Sequence, residues 1–352
     1  MSQAPDCSSF ENMKKIEFLA LGDVVIDAFI ELQDARVTCD INDENCTIGM
    51  RFGDKIPYKK ATVIEGVGNS PNASVSASRL GLKSAILTHV GADKHGEDCV
   101  QALNDNAVDT SLIQKQEGFD TNYHYVLSYE AERTILIKHS EFDYDLEKEL
   151  SEVESVDWMY LSSLAENSLP HHGEIAKYLK DNPKTKLAFQ PGTFQIKLGY
   201  EKLKDIYEST ELFFCNKEEA NRILLEAGKI ETAETDMNVI LKEMKNLGPK
   251  IAIITDGPDG AYTYDGEQIL FVPMYPDPKP PVERTGAGDS FSSALTSFIA
   301  GGMTLEEALL RAPINSMNVV QNIGAQAGLL TKEEIESWLE KKPKDYKVRI
   351  LN

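Results

Sequence analysis

Residues 283–291 read ERTGAGDSF, and apolar residues recur after them at Leu295, Phe298 and Ile299. With Phe291, that three-and-four spacing predicts a helix with one buried face. Gly286, Ala287 and Gly288 stand at its start, immediately before an acid, Asp289. Side-chain-poor residues at a helix N-terminus leave backbone N–H groups aimed outward, and the helix dipole adds positive charge at the same point. Such a turn can hold a phosphate or a developing oxyanion, with Asp289 in reach of an attacking hydroxyl. Taken alone, the stretch also has a plainer reading as a tight turn with an Asp cap.

Outward from this stretch the chain alternates two periodicities. Short apolar runs at 16–21, 85–90, 159–161, 187–189, 212–215 and 251–254 are bounded by turn residues. Between them lie helical patterns at 73–80, 97–103, 174–179, 218–225 and 239–247. Short buried strands alternating with helices predict an α/β fold with a mostly parallel sheet covered on both faces. Two segments break the rhythm: 29–64 is long and polar with β-type patches, and 121–139 reads as a hairpin turning near Glu130 and Ala131. For 39–52, rich in Asp, Asn and Glu, a disordered excursion is the alternative.

ERTGAGDSF resembles the C-terminal signature of the ribokinase (PfkB) family of carbohydrate and nucleoside kinases, D-T-x-G-A-G-D. Further matches follow in that family's order. LALGDVVIDAF carries Gly22 and Asp27; GVGNSPNASVSASRLGL carries Gly68, Asn72, Arg79, Leu80 and Gly81; VGADKHGED carries Gly91, Asp93 and Gly96. CNKEEA supplies Asn216 and Glu219, and TDGPDGAY supplies Thr255, Gly257, Gly260 and Ala261. The resemblance runs from about Ile16 to Gly328.

The resemblance implies a ribokinase-like three-layer α/β/α domain over about 16–342, with a small β lid drawn from about 29–64 and 121–139. Residues 1–15 and 343–352 are left as terminal tails. It implies transfer of the γ-phosphoryl group of ATP to a hydroxyl, with Asp289 as base and the turn Gly286, Ala287, Gly288 as anion hole. Asp27, Gly68 and Asn72 would bind the acceptor; Asn216, Thr255, Gly257 and Gly260 would bind the nucleotide. Asn216 and Glu219 would organise Mg²⁺ through water, and Glu283 is the candidate for a monovalent cation. The same Asn216–Glu219 spacing also fits a helix-capping box. The acceptor is expected to be a sugar; the alternatives are a nucleoside, or a catalytically retired sugar-binding regulator.

Departures from the family pattern cluster around acceptor and base. Glu283 replaces an Asp, Arg284 a small residue, Val67 the first acceptor glycine, Ser74 an Ala, and Pro313 an asparagine of the late helix. A longer Glu283 leaves K⁺ activation open, and Arg284 could stand in for the cation, because a guanidinium cannot dissociate. Tyr123 and Tyr125 admit stacking on a base, although alternate tyrosines in a hairpin are ordinary strand packing.

Composition narrows the field further. A formal net charge of −21 excludes a nucleic-acid binder driven by phosphate neutralisation. It also requires a kinase to concentrate positive potential locally. No G-x-x-x-x-G-K-[ST] is present, and Pro71 stands where a dinucleotide fingerprint needs its third glycine. No apolar run is long enough to span a bilayer, and the polar N-terminus is no signal peptide. Five cysteines, odd in number, point to a reducing, cytoplasmic setting, with Cys39 and Cys46 expected as free thiols and a bridge or metal pair between these two close positions as the alternative. His171 and His172 are expected on a helix surface. Pairing of two copies through the lid is open.

Overall fold

Alternation within the central strands sorts their side chains onto two faces. Phe18, Ala20, Trp158, Tyr160 and Ile253 pack on one side; Leu19, Leu21, Met159, Leu161, Ala252 and Ile254 pack on the other. The first face is covered by helices Asn69–Arg79, Ala287–Ala300, Leu305–Val319 and Lys332–Glu340, the second by Leu169–Asp181, Tyr200–Ser209, Lys217–Glu226 and Met237–Asn246. Burial on both faces makes the strands apolar throughout, as a parallel sheet demands. The computed structural model describes residues 14–39, 46–129 and 132–351.

The main sheet runs, from one edge, Ser84–Leu87, Lys14–Leu21, Val153–Leu161, Lys186–Phe189, Thr210–Asn216, Ile251–Thr255, Ala261–Tyr264, Ile269–Val272 and Arg349–Leu351. The first six are parallel, and the last three are added antiparallel. The residues read as a C-terminal tail are therefore part of the fold. Arg349–Leu351 closes the sheet edge and Tyr346 is buried against the first core. At the other end the first strand already begins at Lys14, and 1–13 lie outside the described residues.

A second sheet stands apart from the first. Its order is Glu132–Leu136, Tyr123–Tyr129, Val25–Leu32, Tyr58–Val67. These strands come largely from the two segments that broke the α/β rhythm, although Val25–Leu32 begins before and Tyr58–Val67 runs beyond 29–64; the turn near Glu130 and Ala131 lies outside the described residues. Register decides which residues share a face. Asp27 sits between Ile64 and His124, Phe29 between Thr62 and Val126, and Glu31 between Lys60 and Ser128. The opposite face exposes Val63, Tyr125 and Leu136.

Two expectations need correction. Cys39 and Cys46 form a disulfide, closing the short hairpin Arg36–Thr38 with Thr47–Gly49. Antiparallel pairing brings the two thiols together, which sequence separation alone could not decide. His171 and His172 are buried, not on the surface. Their helix packs its apolar face on the sheet while the preceding turn covers its start, where the His172 ring meets the carbonyl of Ser168 at 2.7 Å.

Burial lowers the His172 pKa to about 4 from 6.5. At pH 5 the unfolded chain therefore binds a proton at this ring that the folded chain does not, so stability must fall with acidification. The loss begins near the unfolded value of 6.5 and is complete near 4, and amounts to on the order of 3 kcal/mol. Urea midpoints measured between pH 7 and 4.5 should fall more steeply for the wild type than for His172→Gln. Equal slopes would show that the ring titrates normally.

Candidate active site

Apart from Asp27, which the small sheet carries, the candidate groups come from strand ends, turns and helix starts of the main α/β unit. Thr255 ends a central strand opposite Asn216, and Gln190 follows the strand Lys186–Phe189. Open parallel sheets gather ligands outside these carboxyl ends, where helix N-termini also point.

The helix Ala287–Ala300 begins after Gly286, whose φ of 79° lies in the left-handed region. A Cβ at Gly286 would come within 2.4 Å of the Ala325 Cβ, so glycine is required there by conformation and by contact. Gly288 is different: its Cβ direction is open, with only the Gln190 Nε2 at 4.0 Å. No side chain caps this helix start. The Ala287 N–H meets the Arg284 carbonyl at 3.4 Å and the Ser290 N–H the Gly286 carbonyl at 2.8 Å, so the Gly288 and Asp289 N–H groups are the ones available to an outside anion.

Asp289 is held by three amides. Asn69 Nδ2 donates to Oδ1 at 2.7 Å, Gln190 Nε2 to the same oxygen at 3.0 Å, and Asn72 Nδ2 to Oδ2 at 2.8 Å. The amide orientations are set in turn. Gln190 Oε1 accepts from the buried phenol of Tyr160 and from Ser292 Oγ at 3.1 Å, which turns its Nε2 toward Asp289. Burial, with the charge of Asp289 adding to it, raises the Tyr160 pKa well above 10, so the phenol stays a donor. Asn72 Oδ1 accepts from Gln326 Nε2 at 3.1 Å. Among the described residues Oδ2 has the single donor Asn72, leaving a lone pair for a further hydroxyl. Asn72, expected to bind the acceptor, thus first of all orients Asp289.

Beside this group lies a cleft of about 370 Å³, lined among others by Asn216, Thr255, Gly257, Gly260, Ala287 and Gly288. The residues expected at a nucleotide are therefore brought together, and the helix start forms one wall. Phe291, Val272, Met317 and Pro313 supply apolar lining. Gly260, at φ 93°, could not carry a Cβ, which would meet the Val272 carbonyl at 2.4 Å.

Asn216 and Glu219 form the capping box that was the alternative reading. The Asn216 side chain accepts from the Glu219 N–H at 2.8 Å, and Glu219 Oε2 accepts from the Asn216 N–H at 2.9 Å. Burial raises the Glu219 carboxyl above its ordinary range; the Asn216 N–H opposes this and Asp289 reinforces it. Capping engages the single Asn216 side-chain oxygen and one Glu219 oxygen, leaving the second Glu219 oxygen, so a hard cation would be met through water more readily than directly. Among the described residues no cluster of three or more His, Cys, Asp or Glu side chains is arranged for a metal.

Asp27 stands on the small sheet with Oδ1 buried and without a hydrogen-bond partner, 3.4 Å from His124 Nδ1. His124 Nε2 meets His139 Nε2 at 3.1 Å, and His139 Nδ1 meets Asp23 Oδ2 at 2.6 Å. This Asp–His–His–Asp chain ties the small sheet to the end of the first main-sheet strand. It joins four positions that no local motif connects. Asn69 stood visible in GVGNSP and Gln190 in FQPGT, yet neither lies in a spacing that announces its partner.

Gly68, at φ 119°, starts the helix carrying Asn69 and Asn72, and a Cβ there would meet the Asp23 carbonyl at 2.9 Å. Glu283 Oε1 accepts from the Gly324 N–H at 2.7 Å, and burial raises its carboxyl above the ordinary range against that bond. Phe29, Thr62, Ser128 and Arg133 of the small sheet line one cleft with Val282, Glu283 and Arg284, so that sheet faces the start of the 283–289 stretch. Arg284 lines both the cleft beside Asp289 and a second cleft beneath the small sheet. Tyr123 and Tyr125 pair with Ile26 and Ala28, on the face away from Asp27, so they are strand packing.

The sequence pattern described as "pfkB family carbohydrate kinase" matches residues 34–332. Ribokinase of Bacillus subtilis (strain 168) is 24% identical over 279 residues, covering 77% of this chain and 87% of that protein. The solved nucleoside kinase of Methanocaldococcus jannaschii superimposes with a TM-score of 0.72 at 19% identity, over 94% of this chain and 99% of its own. Arabidopsis thaliana ribokinase, complexed with ribose and ATP, gives 0.74 at 18% identity, over 93% and 99%. The fold is ribokinase-like.

Proposed function

The chain belongs to the pfkB family of carbohydrate kinases, and from that premise we propose that it moves the γ-phosphoryl group of ATP directly onto a hydroxyl of a sugar. The observation that carries this reading is the Asp289 carboxylate, pinned by Asn69, Asn72 and Gln190 at the mouth of an uncapped helix. ATP lies in the apolar cleft with its phosphates toward Gly286, Ala287 and Gly288. The acceptor lies on the other side of Asp289, its neighbouring hydroxyls against Asp27 and the backbone at Gly68.

Asp289 Oδ2 orients the attacking hydroxyl and takes its proton. The first-turn N–H groups offset the charge on the transferring group, which in a loose transition state lies on its peripheral oxygens. Mg²⁺, held through water by Asn216 and Glu219, would draw charge from the phosphates. The small sheet closes over the acceptor and excludes water, which otherwise competes as phosphoryl acceptor. Glu283 is occupied by Gly324 and faced by arginine, so we read K⁺ as dispensable.

The likeness to a nucleoside kinase keeps a nucleoside acceptor as the alternative, although the tyrosines that would have stacked on a base face away. Retention of Asp289, Asn216 and Glu219 speaks against a retired regulator. We place the enzyme in the cytoplasm, with the Cys39–Cys46 bond as the observation against it. Pairing of copies would use the outer face of the small sheet, at Val63, Tyr125 and Leu136.

ADP release with Mg²⁺-ATP, measured over ketohexoses, pentoses, sugar phosphates and nucleosides in K⁺ and in Na⁺ buffers, tests the whole reading. Saturable turnover of sugars, alike in both salts, is expected. Activity on nucleosides alone would replace the sugar reading, and a strict K⁺ requirement would return Glu283 to a cation site.

A further inference from the structure

The cleft-facing side of the small sheet changes character along its strands. Asp27 and His124 lie at the inner end, Phe29, Thr62 and Val126 in the middle, and Glu31, Lys60 and Ser128 at the outer end. Arg133 pairs with Ser128 and so joins that outer row. Two steps of two residues separate the inner row from the outer, roughly 13 Å of strand, within which long basic side chains reach back toward the acceptor.

The second cleft lies between this outer end and residues 281–284. Its charged lining is Lys59, Lys60, Arg133 and Arg284 against Glu31 and Glu283. Both acids are already engaged: Glu31 with Lys59 at 3.1 Å, and Glu283 with the Gly324 N–H. Among the described residues Lys60, Arg133 and Arg284 form no ion pair with a carboxylate. On a chain of net charge −21, an excess of cations in the cleft beside the acceptor position is a local reversal of sign. A neutral sugar would gain nothing from it. Electrostatic focusing of this kind recruits an anion.

Resting on the kinase reading above, we propose that the acceptor carries an anionic group, a phosphate ester or a carboxylate, remote from the hydroxyl that is phosphorylated. The hydroxyl end lies at Asp27 and Asp289, and the anionic end is held by Lys60 and Arg133. Arg284, between the two clefts, faces both the acceptor's charge and the nucleotide phosphates. Lys60 and Arg133 are therefore the residues that separate acceptor charge from donor binding.

The test compares each sugar with its own phosphate ester and its own sugar acid, by kcat and KM for ADP release. The charged member of at least one pair should show kcat/KM about 10-fold or more above the neutral one, an advantage that shrinks as salt is added. Lys60→Ala and Arg133→Ala should each raise KM for that charged acceptor by about 10–100-fold, with KM for the neutral sugar and for ATP within about two-fold of wild type. Preference for the ester over the acid, or the reverse, identifies the group. Turnover confined to neutral sugars, or a charged-acceptor KM unmoved in the double variant, overturns this inference and leaves the kinase standing. No ADP release with any acceptor overturns the kinase reading and this inference together.

Discussion

Asp289→Asn is expected to lower kcat by about 10²-fold or more while ATP still binds, the range for loss of a positioned base. The substitution keeps size and shape, but the carboxamide cannot take a proton from the attacking hydroxyl. It also turns one of three donor–acceptor contacts into an encounter of two N–H groups, since Asn69, Asn72 and Gln190 all donate to this side chain. Nucleotide affinity should survive, because the cleft is lined by the helix start and by Asn216, Thr255 and Gly257, not by the 289 side chain. Single-turnover rates with saturating acceptor, alongside ATP titration of the variant, separate the two effects. Near-normal turnover would remove Asp289 from the base role; lost ATP binding would make its role structural.

The second large effect contrasts two glycines two residues apart. Gly286→Ala should cost on the order of 3 kcal/mol or more of stability and abolish activity. It combines left-handed backbone strain with the contact against Ala325. That contact involves a Cα as well as a Cβ, at 2.7 and 2.4 Å, so no side-chain rotation relieves it. Gly288→Val should leave the melting temperature near that of wild type, because its Cβ meets open space. Its side chain would occupy the place assigned to phosphate, and kcat/KM for ATP should fall by about 10²-fold, as for a misplaced reactant. Thermal melts and ATP kinetics on both variants check the pair. A Gly288→Val enzyme with unchanged ATP kinetics would show that the phosphates lie elsewhere.

The positions legible from residue order were those that act through neighbours in the chain. Gly286, Gly288 and Asp289 share one turn, and Asn216 and Glu219 share one capping box, so their spacing already states their geometry. The central strands were legible because burial on both faces leaves uninterrupted apolar runs. Asn69 and Gln190 were not, because each meets Asp289 only after segments far apart in the chain are folded together. The same holds for Asp23, His124 and His139, and for His171 and His172, whose burial depends on what packs over them. Cys39 and Cys46 needed a hairpin register to meet, and Arg349–Leu351 needed an open sheet edge to join.

Residue order by itself determined the layered α/β architecture, the glycine-rich turn and the acid beside it, because local backbone geometry and hydrophobic periodicity follow from adjacent residues. Only the tertiary structure decided which amides hold that acid, which residues share a face of the small sheet with Asp27, and where positive charge gathers on an acidic chain. Those depend on strand register and on side chains converging from remote segments, and contacts through space carry no fixed spacing along a chain.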